Sequence, residues 1–449
     1  MQIMPCFYLH PREVQTKPLR LAVKEYFVSH QDVIIVGAGL AGVAAAHALR
    51  QRGHDVLVLD SHDGPARETS FANAGALTPS EPEPWNAPGV HWQLLASLPD
   101  PHSAMKLRLA PLPGLIPWGL KFLANSTRKR YEAAALANFA LSRYSLTETQ
   151  AVRDAHKLDF ANLARGTMKV CRDARALEPD RQTSQALTDA GLRWQVLDRA
   201  EMVAREPMLA DVAGDLAGAV FYPDDESGDA HLFTKALASV ATDMGVRFEY
   251  NSPVDSLIDR AGRISGVRTA TEEIEADQVV LATGHATRRL LAPLGLHLPV
   301  RPVKGYSLSL DMSQLNQRPG LPVVDEQLHA IVSPLGDTLR IAGTAEFAGE
   351  DRTLRGERVD NLRMLLGRLY PTLADSLLDG DNKAWCGFRP MSADGRPFIG
   401  ETRAPGLWLN TGHGHLGWTQ AMGSAGLLAS LLDGETPPVP AEAFSARRF

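Results

Sequence analysis

Three glycines, Gly37, Gly39 and Gly42, stand between an apolar run, Val33 to Val36, and an alanine-rich helical pattern that reaches Arg50. Glycines at this spacing can hold a pyrophosphate. Gly37 allows the tight turn, Gly39 lets backbone approach the phosphates, and Gly42 lets helix and strand pack closely. The free N–H groups and dipole at the helix start favour the negative charge. Gly53 ends the helix, Val56 to Leu59 reads as a second buried strand, and Asp60 closes it where a carboxylate can accept hydrogen bonds from ribose hydroxyls. Strand, turn, helix, second strand and acid fall in register within one βαβ unit, so the stretch reads as a dinucleotide site for FAD or NAD rather than a plain structural turn. Its expected contacts are Val36, Gly37, Ala38, Gly39, Leu40, Ala41, Gly42 and Asp60.

Two further stretches narrow the choice. Arg67-Glu68-Thr69-Ser70-Phe71-Ala72-Asn73-Ala74-Gly75-Ala76 is built of small and polar residues, which would bring uncovered backbone against a flat ligand; otherwise it is a surface loop. Asn410 to Thr419 places glycine-spaced N–H groups (Gly412, Gly414, Gly417, with His413 and Leu416 between) at the start of a helix ending near Leu432. A second helix dipole of this kind stabilises negative charge on a reduced flavin, a need that NAD does not have. The cofactor expected is therefore FAD. Val254, at the start of a strand, and Thr283 and Gly284, at the turn ending another, are expected beside the dinucleotide, as are Arg67, Ser70, Asn73, Ala74 and Gly75.

The elements that must position these residues are those of an α/β protein. The 449 residues suggest roughly two or three domains. Hydrophobic residues make up 44% and charged residues 22%, the balance of an ordinary globular enzyme. A net charge of −6 argues against nucleic acid as a partner. Cys6, Cys171 and Cys386 are far apart, with no CxxC pair and no metal-ligand spacing, which fits a reducing cytoplasm. No apolar run reaches the roughly 18 residues needed to span a bilayer. Residues 1–30 have no apolar signal core and are expected to be a disordered tail or the product of an upstream start, with an ordered arm as the alternative. After the Pro-rich patch Pro79 to Pro88, residues 90–190 read as largely helical. Within them Leu112 to Leu123 is apolar and proline-broken and precedes Arg128, Lys129 and Arg130. That segment is either a core helix with a solvated basic end or a contact with anionic lipid. Strands are expected at Thr167 to Arg172 and Ala217 to Tyr222, a helix at Asp229 to Gly245, a strand-rich run from Val246 to Ala282, and further strands at Ser307 to Leu310 and Leu339 to Ala342.

Four motifs in order, GAGLAG at 37–42, ETSFANAG at 68–75, RPVKGYSL at 301–308 and GFRPMSADGRPFIG at 387–400, resemble the D-amino-acid oxidase superfamily of FAD-dependent oxidoreductases. With NTGHGHLGWT at 410–419 they are similar, within it, to the small-subunit family of D-amino-acid dehydrogenases. The resemblance covers roughly Asp32 to Leu432. It implies a discontinuous Rossmann-like FAD domain (31–90, 229–290 and 385–436) and a substrate domain with a large mixed or antiparallel sheet and helices (91–228 and 291–384), followed by a C-terminal tail (437–449). It implies oxidative deamination of D-amino acids, non-covalent FAD, and electrons passed to a quinone or another respiratory-chain acceptor from the inner face of the bacterial membrane. The arginine that clamps the substrate carboxylate in such oxidases falls on Arg389.

Some relatives also hold that carboxylate with a tyrosine on a substrate-domain strand. The corresponding segment here, Gln327 to Val332, has none, so Tyr306 or His329 takes the role or Arg389 acts alone. Arg389 could otherwise be structural, pairing Asp394. Cys386 is near the place where some relatives attach flavin covalently, yet a buried cysteine is the commoner role. Hydride would leave the substrate Cα for flavin N5, giving an imino acid that water hydrolyses to a 2-oxo acid and ammonia, with the protein orienting the substrate. The alternatives are an oxygen-using oxidase of glycine, sarcosine or another secondary amine, and a flavin-bearing subunit without turnover.

Overall fold

The computed structural model describes residues 31–92, 103–328, 330–380 and 382–449. The N-terminal segment 1–30 and His329 lie outside the described residues.

The strand Gln31–Val36 is the hub of an eight-stranded sheet. It runs parallel between Val56–Leu59 and Glu273–Leu281, with Val36 opposite both Leu59 and Leu281. Arg247–Glu249 and Leu407–Thr411 extend the parallel part on either side. The antiparallel hairpin Val254–Arg260 and Arg263–Thr269 pairs with the first half of Glu273–Leu281. Side chains alternate across the hub strand. Val33 and Ile35 pack under the helices Leu40–Gln51, Ala230–Asp243 and Gly417–Leu432. Ile34 and Val36 pack on the opposite face with Ile264, Val267 and Leu409. Each such buried side chain contributes about 1.5–3 kcal/mol, so the strand is apolar on both faces, as a parallel strand covered twice must be.

The second sheet has nine strands and is mixed. Its longest strand is the twelve-residue Val300–Asp311, antiparallel to the edge strand Lys383–Ser392 on one side and to Thr338–Phe347 on the other. Ala330–Leu335, Val323–Asp325, Thr167–Cys171, Gly218–Tyr222 and Gln195–Leu197 continue it, and Met105–Leu107 pairs with Thr338–Phe347. Helix Gly356–Leu369 covers one face with Leu362, Leu365 and Leu366.

Three expectations need correction. Residues 385–392, assigned from sequence to the dinucleotide side, pair along their length with Val300–Asp311 in the second sheet. The segment 437–449 is no loose tail. Phe444 is 1% exposed, and Arg448 Nε lies 2.8 Å from the buried carboxylate of Asp394. Long-range partners of this kind leave no local pattern to read. Finally, Leu112–Ala124 is one helix that runs through Pro117. Pro113 lies in its first turn, where the N–H has no helical partner in any case, and Pro117 forfeits a single bond.

Candidate active site

Both sheets line one cavity of ≈ 1220 Å³. The glycine turn enters it from the hub strand. Gly37 has φ +107°, and a Cβ on Gly42 would lie 1.8 Å from the Gly37 carbonyl oxygen, so neither position takes a side chain. A Cβ on Gly39 would meet only Ser70 Oγ, at 3.7 Å, and otherwise faces the open cavity. The helix Leu40–Gln51 carries no acidic residue in its first turn and no side-chain cap. The Leu40 N–H donates to Ser70 Oγ at 3.1 Å and the Gly42 N–H to the Gly39 carbonyl at 3.0 Å, which leaves the Ala41 N–H and the positive end of the dipole for a ligand. Asp60 accepts the Ala38 N–H at 2.6 Å and the His62 N–H at 2.8 Å, which fixes its carboxylate at the cavity wall.

The loop 68–75 lies between the two sheets and is pinned from the second one. Thr69 donates to the Phe388 carbonyl at 2.7 Å, Ser307 to the Ala72 carbonyl at 2.7 Å, and Arg340 to the Asn73 carbonyl at 2.8 Å. Opposite, His413 to Gly417 lead into the helix Gly417–Leu432, which also lacks a capping side chain. Two uncapped helix starts and a pinned backbone loop facing one cavity suit a long ligand with a diphosphate near one end and a flat ring at the other. The donor set fits FAD.

Arg389 closes the ring end. Val303 faces it across the strand pair, and its guanidinium lies over Gly305, where a Cβ would come 2.2 Å from Nη1. It donates to the Thr344 carbonyl at 3.0 Å and stands 5.4 Å over the Trp85 ring. Thr344 adopts φ +58°, a strained conformation for a β-branched residue, at a register shift between Val300–Asp311 and Thr338–Phe347. Among the described residues Arg389 has no carboxylate within ion-pair distance. Asp394, the structural alternative, pairs with Arg396 and Arg448 instead. Burial alone pulls the Arg389 pKa down to about 10, so the guanidinium stays charged at pH 7 without a counter-ion. That arrangement can take an anionic ligand group.

The structure distributes the remaining expected residues as follows. Val36, Gly37, Gly39, Leu40, Ala41, Asp60, Ser70, Asn73 to Gly75, Val254, Thr283, Gly284, His413, Gly414, Leu416 and Gly417 line the cavity with Tyr306 and Arg389. Ala38, Gly42, Arg67 and Gly412 do not. Ala38 and Gly42 shape the turn, Arg67 pairs with Asp63 at 2.9 Å, and Gly412, at φ +82°, packs on Phe398. The Tyr306 hydroxyl donates to the buried Glu346 at 2.6 Å, where Lys304 also lies 3.1 Å away. Burial, then the bond to Glu346, raises the Tyr306 pKa, so it remains a phenol. His413 and His415 are both lowered to about 4 by burial, His415 also by Arg389, and stay neutral at pH 7. Reading the sequence missed Trp85 and Thr344 as walls around Arg389 and Glu81 and Glu83 beside them, and marked His415 only as a residue of the loop Asn410 to Thr419. The Pro-rich patch that carries Trp85 was the available signal, because prolines stiffen a segment whose position matters.

A parallel-sheet dinucleotide half, a mixed sheet across the cavity and a flavin-shaped site define a flavin-dependent oxidoreductase. The chain belongs to the FAD dependent oxidoreductase family, whose description matches residues 32–431. Among curated relatives it is 40% identical to a D-amino acid dehydrogenase of Methylobacterium nodulans over 418 residues, 93% of this chain and 99% of the relative. It is 38% identical to a D-amino acid dehydrogenase of Vibrio cholerae over 407 residues, 90% of this chain and 96% of the relative. Two solved structures share the fold. Glycine oxidase from Geobacillus kaustophilus has a TM-score of 0.72 at 24% identity, covering 94% of this chain and 99% of its own. L-proline dehydrogenase from P. horikoshii has a TM-score of 0.74 at 17% identity, covering 94% and 98%.

Proposed function

We propose that the protein oxidatively deaminates D-amino acids to 2-oxo acids and ammonia, with FAD held non-covalently. The observation that carries this reading is the Arg389 guanidinium, charged and without a counter-ion in the cavity that the flavin loops share. The D configuration rests on the relatives. The substrate α-carboxylate would form a bidentate pair with Arg389, leaving Cα facing the loops at Ser70–Gly75 and His413–Gly417. When bound, FAD supplies the two-electron acceptor for the hydride leaving Cα. Trp85 and the Thr344 carbonyl hold the guanidinium in place, and His413 and His415 add no competing charge. Tyr306 acts indirectly, by satisfying Glu346 beside Lys304. Cys386 lies outside the cavity lining and points its Sγ at the Arg352 carbonyl, 3.4 Å away, which favours a flavin without a covalent link.

Two finer parts belong to this reading. The final acceptor is a quinone or another respiratory-chain carrier. The protein works as a cytoplasmic enzyme resting on the inner membrane face through the helix Leu112–Ala124. Ile116, Leu120 and Leu123 lie on one side of that helix and are 59%, 66% and 42% exposed, beside the exposed cations Lys121, Arg128, Lys129 and Arg130. No helix among the described residues is long and apolar enough to cross a membrane. The deciding experiment is an anaerobic screen of D- and L-amino acids for loss of flavin absorbance. Bleaching by D-alanine is the expected result, and a flavin that no D-amino acid reduces would overturn the proposal. Stoichiometric peroxide during turnover in air would replace the quinone by oxygen.

A further inference from the structure

The cavity continues past Arg389 and Trp85 along residues 81–84, a stretch to which the deamination chemistry gives no role. Glu81, Glu83 and Trp85 line it, alternating with the buried Pro82, Pro84 and Asn86. The segment is held from several sides. Ser80 donates to Asp225 at 2.6 Å, Asn138 donates to the Pro82 carbonyl at 3.0 Å, and His415 bonds the Glu81 backbone. Its side chains therefore have fixed places, and Trp85 has its place under Arg389.

Beyond Glu83 the cavity wall is completed by Tyr131, Lys169 and Asp180. The Lys169 ammonium is taken by Asp180, 2.9 Å away. Glu83 has no side-chain hydrogen bond or ion pair among the described residues, and its carboxylate has only its own backbone amide. It is surrounded by protein yet retains exposed area, because the open space it touches is the cavity. Among the described residues, one end of the cavity thus holds a guanidinium with no carboxylate in ion-pair distance, and the other a carboxylate with no ion pair of its own, on which Lys169 acts only through its field.

We infer that Glu83 is a specificity-determining residue that receives the cationic side-chain end of a D-amino acid whose carboxylate sits on Arg389, making basic D-amino acids of the lysine, ornithine or arginine type preferred substrates. Glu83 and Trp85 stand two residues apart and both line the cavity, with the Trp85 ring under Arg389. Arg389 and Glu83 also sit in separate electrostatic surroundings. The charges acting on Glu83 are those of Lys169, Glu81 and Asp180, so its cation partner is not the guanidinium that takes the carboxylate.

The inference rests on the proposed deaminase reading, and its test separates the two. Burial pushes the Glu83 carboxyl up to about 7, with Lys169 opposing and Glu81 and Asp180 adding to the shift. Tyr222, also facing Glu83, stays a phenol and contributes no charge. Glu83 is therefore largely protonated below pH 7 and ionised above it. The probes are D-lysine and D-norleucine, which share a carbon chain and differ in the terminal ammonium. Anaerobic flavin reduction by the wild-type holoenzyme should favour D-lysine in kcat/KM by about tenfold or more at pH 8.5, the worth of a charge-assisted hydrogen bond. The ratio should shrink at pH 6, and because the side-chain ammonium of D-lysine also lowers its α-amine pKa, the ratio at each pH is read against that of Glu83→Gln at the same pH. In Glu83→Gln the ratio at pH 8.5 should also fall toward one, read on protein whose flavin absorbance shows normal loading. A wild-type ratio near one at pH 8.5 overturns the inference, as does full preference in a loaded Glu83→Gln, while D-norleucine turnover keeps the deaminase reading intact. If neither probe nor D-alanine reduces the flavin, the deaminase reading itself fails.

Discussion

Arg389 reaches the cavity because its guanidinium passes over Gly305, which has no side chain to block it. Arg389→Ala should lower kcat/KM for D-alanine by about 30- to 5,000-fold, the 2–5 kcal/mol cost of leaving a desolvated carboxylate without its partner. Arg389→Lys should recover only part, since it keeps the charge and loses the planar fork. Flavin content should stay normal in both, and reduction by the amine lacking the carboxylate serves as control. An Arg389→Ala that keeps the full preference for D-alanine would show the carboxylate held elsewhere. Gly305→Ala asks the same question through geometry. Its methyl would fall 2.2 Å from Nη1 and must displace the guanidinium, so KM should rise severalfold while flavin loading is kept; an unchanged KM would show that the site does not need this placement. Arg389 was legible in the sequence through its motif. Tyr306 was legible as a residue of the site and not as the partner of Glu346, forty residues away in sequence, because nothing local marks which acceptor a buried hydroxyl will find.

At the scale of elements, the glycine turn and its helix were readable because strand, turn and helix each follow a local period. The inward approach at Gly39 leads to a sharp expectation. Gly39→Val should abolish flavin binding, measured as the absorbance ratio of flavin to protein, because the new side chain occupies the space left for the pyrophosphate; a normally yellow protein would contradict the site. The helix Leu112–Ala124 was harder to read. Composition showed an apolar segment beside a basic one, but which face is covered depends on Phe347 and Met391, brought in by the second sheet. Ile116→Asp with Leu120→Asp should reduce flotation with anionic lipid vesicles severalfold and leave flavin reduction unaltered. Equal flotation of variant and parent would remove this helix as the contact. The bulge at Thr344, which sets the carbonyl that holds Arg389, had no signal in the sequence, since a β-branched residue at positive φ is held there by its surroundings.

At the scale of the whole molecule, an ion pair between residues far apart in the chain fastens the C-terminal segment to the turn between Lys383–Ser392 and Phe398–Glu401. Arg448 and Arg396 hold Asp394 below the usual carboxylate range despite its burial, and so tie the last residues to the strands beneath them. Arg448→Ala should cost about 3 kcal/mol, the low end for breaking a buried pair, because Arg396 remains 2.7 Å from the carboxylate. A carboxylate with a depressed folded pKa stabilises above its unfolded value, about 3.9, and loses that contribution as pH falls through the folded one. Urea midpoints should therefore fall more steeply between pH 5 and pH 3 in the wild type than in Arg448→Ala; parallel slopes would mean that the pair does not set the acid limb. The strand–turn–helix–strand unit from Gln31 to Leu59 could be read from sequence because each part follows a local period, whereas the tie at 394–448 could not, because it is a single long-range pair. The cavity has a consequence for biosynthesis. Its wall includes Val36 near one end of the chain and Thr419 near the other, and the hub strand receives its Leu281 partner only after some 245 intervening residues. No ribosome-bound fragment lacking the helix Gly417–Leu432 contains a complete pocket. Flavin capture is then an event of the nearly finished polypeptide, and stalled nascent chains ending before residue 400 should emerge colourless from a translation mixture containing FAD.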